Sequence, residues 1–328
     1  MPTSDTPPVI TRLDRALALE AVRVTEAAAI AAAKWAGRGD EKAADQAAVD
    51  AMRTALNLLN IDGKIVIGEG ERDEAPMLFI GEKVGSGKGP KVDIALDPLE
   101  GTTLTAKNMA NACAVMAFSP EGGMLNAPDT YMDKIAIGPG YAEGLVDLDA
   151  PPQENAFALA KAKGVDIGDL TVCVMDRPRH EKLIAALREA GCKIALITDG
   201  DVAGVIHTTD PDADIDMYIG QGGAPEGVLA CAALKAVGGQ FQGRLVFRND
   251  DERGRAERCG ISQLDKKYSL HEIVRHEAIF VATGVTQGVM LDAVHYERGL
   301  VKCHSLVMSS SSGTVRDVHM RRPYPARS

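Results

Sequence analysis

The chain has little basic surplus, no paired cysteine spacing and no long apolar run, and each shortage removes a class of function. Its 328 residues carry 36 Lys and Arg against 46 Asp and Glu, a formal charge of −10. A general nucleic-acid or anionic-membrane binder needs a basic face, so neither partner is expected. The six cysteines, at 113, 173, 192, 231, 259 and 303, include no CxxC pair. Most sit in apolar stretches such as residues 171–174, which predicts buried, reduced thiols and a cytoplasmic protein. The uncharged run at residues 108–120 is too short to cross a bilayer. Residues 1–8 lack the basic start and apolar centre of a signal peptide. The seven histidines show no HxxxH or HxH spacing for zinc, and no Gly-x-Ser-x-Gly elbow marks a serine nucleophile. Lys88 is not followed by the Ser or Thr of a phosphate-binding P-loop, so residues 83–91 are expected to form a hairpin turn.

Acidic turns are abundant. Two short apolar runs, residues 65–67 and 92–96, read as buried strands, and the Gly or Pro after each stops pairing. They deliver Gly68-Glu-Gly-Glu-Arg-Asp73 and Asp97-Pro-Leu-Glu-Gly-Thr102 to one sheet edge. Carboxylates crowded there repel one another unless a cation neutralises them, and hard oxygen ligands favour Mg²⁺ or Mn²⁺. Thr102 closes the second turn, where a hydroxyl also suits a helix cap.

Leu17, Ala21, Val24, Ala28, Ala31 and Trp35 form one apolar helical stripe. A second helix follows Gly37-Arg-Gly39, with Ala48, Met52, Ala55 and Leu59 inward and Asp45 on its first turns, a position that also suits the helix dipole. Residues 126–132 are expected as a loop. From about residue 169, strands at 170–175, 193–198 and 215–219 alternate with helices at 178–190 and 225–237, which implies a parallel sheet covered by helices. Ligands gather at the carboxyl ends of such strands. Asp176-Arg-Pro-Arg-His180, Asp199-Gly-Asp201 and Gly220-Gln-Gly-Gly-Ala-Pro-Glu-Gly227 fall there. Arg177 and Arg179 suit a phosphate, since a guanidinium fork matches its oxygens, and Asp199 and Asp201 suit sugar hydroxyls. Each also has a plain reading as a basic turn, a β-turn or a first-turn acid. Residues 248–258 read as a solvated helix or mobile loop.

Asp97-Pro-Leu-Glu-Gly-Thr102 resembles the signature of the metal-dependent, lithium-sensitive sugar phosphatases. Together with residues 66–77, Asn126-Ala-Pro-Asp-Thr-Tyr-Met132 and the three motifs above, in this order from about residue 17 to 320, the chain resembles class II bacterial fructose-1,6-bisphosphatases. The resemblance implies an α/β fold (α+β by some schemes), a layered αβαβα sandwich. Its expected subdomains are residues 11–140, which bind metal, and 141–320, with sugar-phosphate loops, flanked by flexible tails at 1–10 and 321–328. It implies two or more Mn²⁺ or Mg²⁺ ions held by Asp45, Glu69, Asp97, Glu100 and Glu226. Thr102 and Asp73 would be catalytic. Glu100, Gly101, Thr102, Tyr131, Arg177, Pro178, Arg179, Asp199, Gly200, Asp201 and Gly223 would meet the substrate, although Tyr131 equally suits a half-buried core position. Where the family often has lysine this chain has Glu41, followed by Lys42.

The expected reaction is two-metal hydrolysis of the 1-phosphate of fructose 1,6-bisphosphate by a cytoplasmic homo-oligomer, a dimer or tetramer. Sedoheptulose 1,7-bisphosphate is an alternative substrate. An inositol monophosphatase fits less well, because one phosphate needs no second basic clamp. A non-catalytic sensor would have lost a ligand or the hydroxyl, and all are present.

Overall fold

The alanine-rich stripe becomes α1 (Arg15–Ala33), whose small side chains let it lie close to the strands beneath it. This computed structural model describes residues 13, 15–70, 77–210 and 213–324. After α1 come α2 (Glu41–Leu56), β1 (Asp62–Ile67), β2 (Lys83–Val84), β3 (Lys91–Glu100), α3 (Thr102–Ala106), β4 (Cys113–Pro120) and β5 (Tyr131–Ile137). The middle of the chain forms α4 (Pro152–Lys163), β6 (Thr171–Met175), α5 (Glu181–Glu189), β7 (Lys193–Ile197), α6 (Asp201–Ile206), β8 (Met217–Gly223) and α7 (Ala224–Val237). The last part forms β9 (Gln240–Val246), α8 (Asp250–Arg258), β10 (Lys267–Ser269), α9 (Leu270–Ile273), β11 (Ile279–Gly284), β12 (His295–Glu297), β13 (Leu300–Ser309) and β14 (Thr314–Pro323).

Two sheets result. The first has eight strands, β12-β13-β11-β4-β3-β1-β2 with β14 paired to β13, and the second has six, β10-β9-β5-β8-β6-β7. Helices α1 and α2 pack on the outer face of the first sheet, while α4 and α5 cover the outer face of the second. Between the sheets lies α7, with ten of its fourteen residues buried. A helix that is apolar all round must be enclosed, and here it is. The layers are therefore α, β, α, β, α, the expected sandwich.

Several expectations need correction. The second sheet is mixed: β6, β7 and β8 are parallel, but β5 pairs antiparallel with β8 and β9, and β9 with β10. The three strands expected to run parallel, at residues 170–175, 193–198 and 215–219, do so as β6, β7 and β8, while β9, buried at every second residue, lies beyond that βα rhythm and belongs to the antiparallel part. Residues 83–91 make no hairpin, because β2 and β3 lie on opposite sides of β1. Residues 321–323 are not a tail; they complete β14, which pairs with β13 along its whole length. Residues 325–328 lie outside the described residues. Sheet membership also departs from chain order at residue 140: β5 is central to the second sheet, and β11 to β14 join the first. Tyr131 and Met132 begin β5 and are not in a loop. Residues 250–258 form a helix, α8, with Glu252 and Ala256 buried.

The two acidic turns are positioned by one device used twice. On β3, Asp97 pairs with Val115 and Glu100 with Cys113, so three steps on β3 oppose two on β4. Successive strand side chains alternate in direction, and residues three apart would face opposite sides. The extra residue of this bulge restores Glu100 to the side of Asp97. On β1 the register shifts between Ile65 and Ile67, just before Glu69. The turn that follows is tight: a Cβ on Gly68 would overlap the Leu78 carbonyl.

Candidate active site

The carboxyls of Asp97, Glu100 and Glu226 offer ligand atoms that all lie within 4.8 Å of one another. Glu226 comes from the first turn of α7, after Pro225, so an amino-terminal helix end faces two strand-end acids. The Asp97 Oδ1 accepts from the Leu99 amide at 2.9 Å, which holds the turn. Asp97 and Glu100 also hydrogen-bond to each other.

Burial and mutual repulsion push these acids up. Glu69 rises to about 9, first through burial and then through the charges of Asp97 and Asp45. Glu226 rises to about 8, from burial and then Asp201. Asp97 rises to about 6 and Glu100 well above its ordinary value, burial leading in both. Asp45 on α2 and Asp199 after β7 are also raised by burial. The Glu226 Oε2 and Asp201 Oδ1 atoms are buried with no hydrogen-bond partner among the described residues. Oxygen donors from four separate elements, with orphaned atoms among them, fit a hard divalent cation.

Glycines make the space. A Cβ on Gly223 would overlap Glu226 Oε2, and one on Gly222 would overlap Asp201 Oδ2. Thr102 is the half-buried first residue of α3, preceded by Gly101 at φ 88°, a conformation that glycine adopts without strain. Asp73 lies outside the described residues. Glu41 and Lys42 are both exposed at the start of α2, and it is the Glu41 charge that reaches Asp199.

A basic and aromatic group adjoins this acidic floor. Tyr131 pairs across the sheet with Gly223, which sets its ring beside the α7 terminus. The Arg179 guanidinium lies 4.9 Å from the ring centre and donates through Nε and Nη2 to the Gln221 carbonyl at 3.1 and 2.8 Å. Arg177 precedes the 3-10 turn Pro178–His180, and its charge acts on Asp199. Gly200 leads into α6, where Asp201 is only 4 % exposed. His180 is committed to structure: its Nδ1 bonds the Met175 carbonyl at 2.7 Å, and its Nε2 accepts from the Gln221 amide at 2.8 Å.

A scan against protein families matches residues 15–322 to bacterial fructose-1,6-bisphosphatase, glpX-encoded. The chain is 46 % identical over 318 residues to fructose-1,6-bisphosphatase 1 class 2 of Escherichia coli K12, covering 93 % of this chain and 94 % of that protein. The class 2 enzymes of Escherichia coli O6:H1 and Shigella flexneri match with the same identity and coverage. The chain belongs to this family. Membership makes it a phosphatase, and its acidic cluster could hold the metal that the family depends on.

Sequence reasoning missed two cations that stand beside the candidate site residues Asp201 and Tyr131. Lys134, 1 % exposed, donates to Asp201 Oδ2 at 2.6 Å, and Tyr218 approaches the same oxygen at 3.4 Å. Lys134 shares the inner face of β5 with Met132 and Ala136, so period-two alternation could have flagged a lysine pointing into the core. The second is Arg248, whose guanidinium lies 4.8 Å from the Tyr131 ring centre. Histidine spacing also hid a pair: β13 and β14 place His304 opposite His319, near Asp292. His304 has neither nitrogen free, since Nδ1 accepts from the Asp292 amide at 3.1 Å and Nε2 lies 3.0 Å from Asp317. Among the described residues, no helix is long and apolar enough to cross a membrane.

Proposed function

We propose that the chain hydrolyses fructose 1,6-bisphosphate at its 1-phosphate, with Asp45, Glu69, Asp97, Glu100 and Glu226 holding two Mn²⁺ or Mg²⁺ ions. The observation that carries this reading is the cluster of half-buried Asp97 and Glu226 with buried Glu100, three acids raised first by burial and then by neighbouring carboxylates. When bound, the cations supply neutralising charge for the phosphoryl oxygens and a water of lowered pKa. Thr102 shares a proton with the attacking water, and Asp73 either orients that hydroxyl or takes the proton as general base. Tyr131, Arg177, Pro178 and Arg179 hold the distal phosphate, while Asp199, Gly200 and Asp201 face the sugar. Lys134 fixes Asp201 through its Oδ2, so the other carboxyl oxygen remains for a sugar hydroxyl or a cation. The Gly101 and Gly223 backbones leave room for the ligand.

Phosphate release from fructose 1,6-bisphosphate with and without Mn²⁺ tests the reading. Turnover that requires the metal is expected, and its absence at any metal concentration refutes it. Sedoheptulose 1,7-bisphosphate, run beside it, separates the two bisphosphates. The six cysteines, five of them buried, support a reducing cytoplasm. A homo-oligomer, dimer or tetramer, completes the reading, and light scattering would measure it.

A further inference from the structure

We propose that Arg248, held in place by the buried carboxylate of Glu252, is a third cationic group of the distal phosphate clamp and sets the preference for bisphosphates. This deepens the function proposed above and takes its ligand from that reading.

The argument starts from Tyr131. The Arg179 and Arg248 guanidinium carbons lie 4.9 and 4.8 Å from its ring centre, so they are at most about 10 Å apart. Two like charges brought to one ring repel unless something offsets them. Arg179 leans on a carbonyl and has no carboxylate partner among the described residues, so it brings a full charge. Arg248 is offset by Glu252, at 2.6 Å from Nε and 2.5 Å from Nη2. The Arg248 side chain is nevertheless 58 % exposed, while Glu252 is 1 % exposed. The acid is therefore internal and the cation faces outward.

Glu252 is fixed from every side described. Its amide donates to the Asn249 cap at 2.9 Å, and its Oε2 accepts from the Arg248 amide at 2.7 Å. The Thr130 hydroxyl lies 3.0 Å from the same oxygen and 2.8 Å from the Val246 carbonyl. Burial alone would raise this acid, yet the bonds from Arg248 and Thr130 bring it below its usual range. Thr130 is the residue before Tyr131, and Val246 pairs with Tyr131 across the sheet. One carboxylate thus locks the guanidinium and the strand that carries the ring. Nη1 of Arg248 has no partner among the described residues, and an anion over Tyr131 could be reached by it and by Arg179 together. A guanidinium immobilised before binding loses less entropy when it grips phosphate.

The test uses the full-length protein and two readouts. The first is calorimetric binding of fructose 6-phosphate, which carries the distal phosphate and needs no turnover. The second is the ratio of kcat/KM for fructose 1,6-bisphosphate to that for fructose 1-phosphate, which has the same scissile group and no distal phosphate. Arg248→Ala should weaken fructose 6-phosphate binding about ten- to hundredfold and lower the ratio to the same extent, through KM. Arg248→Lys should recover part of both, because charge returns without the fork. Glu252→Gln should lower the ratio as well, with kcat for fructose 1-phosphate little changed. The proposal is overturned if Arg248→Ala changes both readouts by less than about twofold, or if Glu252→Gln lowers thermal stability and leaves the ratio intact. Arg248-dependent fructose 6-phosphate binding by a protein that hydrolyses neither sugar would sink the hydrolase reading and leave the clamp standing.

Discussion

Loading the carboxylate cluster with Mn²⁺ should release protons in a countable number. In the metal-free protein Glu69 and Glu226 titrate near about 9 and about 8, Glu100 is raised well above its ordinary value, and Asp97 lies near about 6. At pH 7 Glu69 and Glu226 are therefore mostly protonated and Asp97 mostly ionised. Cation binding demands carboxylates, so about two protons should leave Glu69 and Glu226 as the site fills. The groups share one field, and the protons belong to the set. Apparent affinity should climb about tenfold per pH unit for each proton released and level off above about pH 9. Stability moves the other way. An acid whose folded pKa is raised contributes fully below its unfolded pKa and loses that contribution as pH rises through the folded one. The metal-free protein should melt at steadily lower temperature from about pH 5 to about pH 9, with Mn²⁺ reversing the trend. Titration calorimetry in buffers of different ionisation enthalpy counts the protons. Release of fewer than about one at pH 7, or affinity flat between pH 6 and 8, would refute the reasoning.

Thr102→Ala and Asp73→Ala should each lower kcat about a hundred- to ten-thousandfold with metal binding and folding near normal, so a variant of normal kcat removes that residue's role. Lys134→Met leaves the buried Asp201 carboxyl group without its lysine partner, which should destabilise the fold by about 3–5 kcal/mol in urea unfolding. A loss under about 1 kcal/mol would show that the pair does not compensate that burial. Gly223→Ala places a methyl on the Glu226 carboxylate and should weaken Mn²⁺ binding about ten- to hundredfold, read by titration calorimetry. Unchanged affinity would mean that Glu226 swings aside freely.

What the sequence displayed and what it hid divide along the range of the interaction. Asp97, Glu100 and Glu226 were legible because a ligand acid must stand at an element end, beside the Gly or Pro that frees it, and that is a local pattern. The alanine stripe of α1 and the apolar run of α7 were legible for the same reason. Lys134 was obscured, since its partner Asp201 is 67 residues away. Arg248 vanished into a charged stretch because only the pairing of β5 with β9 brings it to Tyr131. Pairing partners are equally non-local, and that is why the antiparallel half of the second sheet and the return of β11 to β14 to the first went unread.

The enclosed helix α7 has a bearing on how activity is lost. Its ten buried positions are wetted unless both sheets close on it, and Glu226 rides on its first turn. The last acid of the cluster can arrive only as the sandwich shuts, so a half-assembled molecule has no half-strength centre. Heat or denaturant should extinguish turnover in one step with the tertiary signal, instead of eroding it gradually while the walls remain.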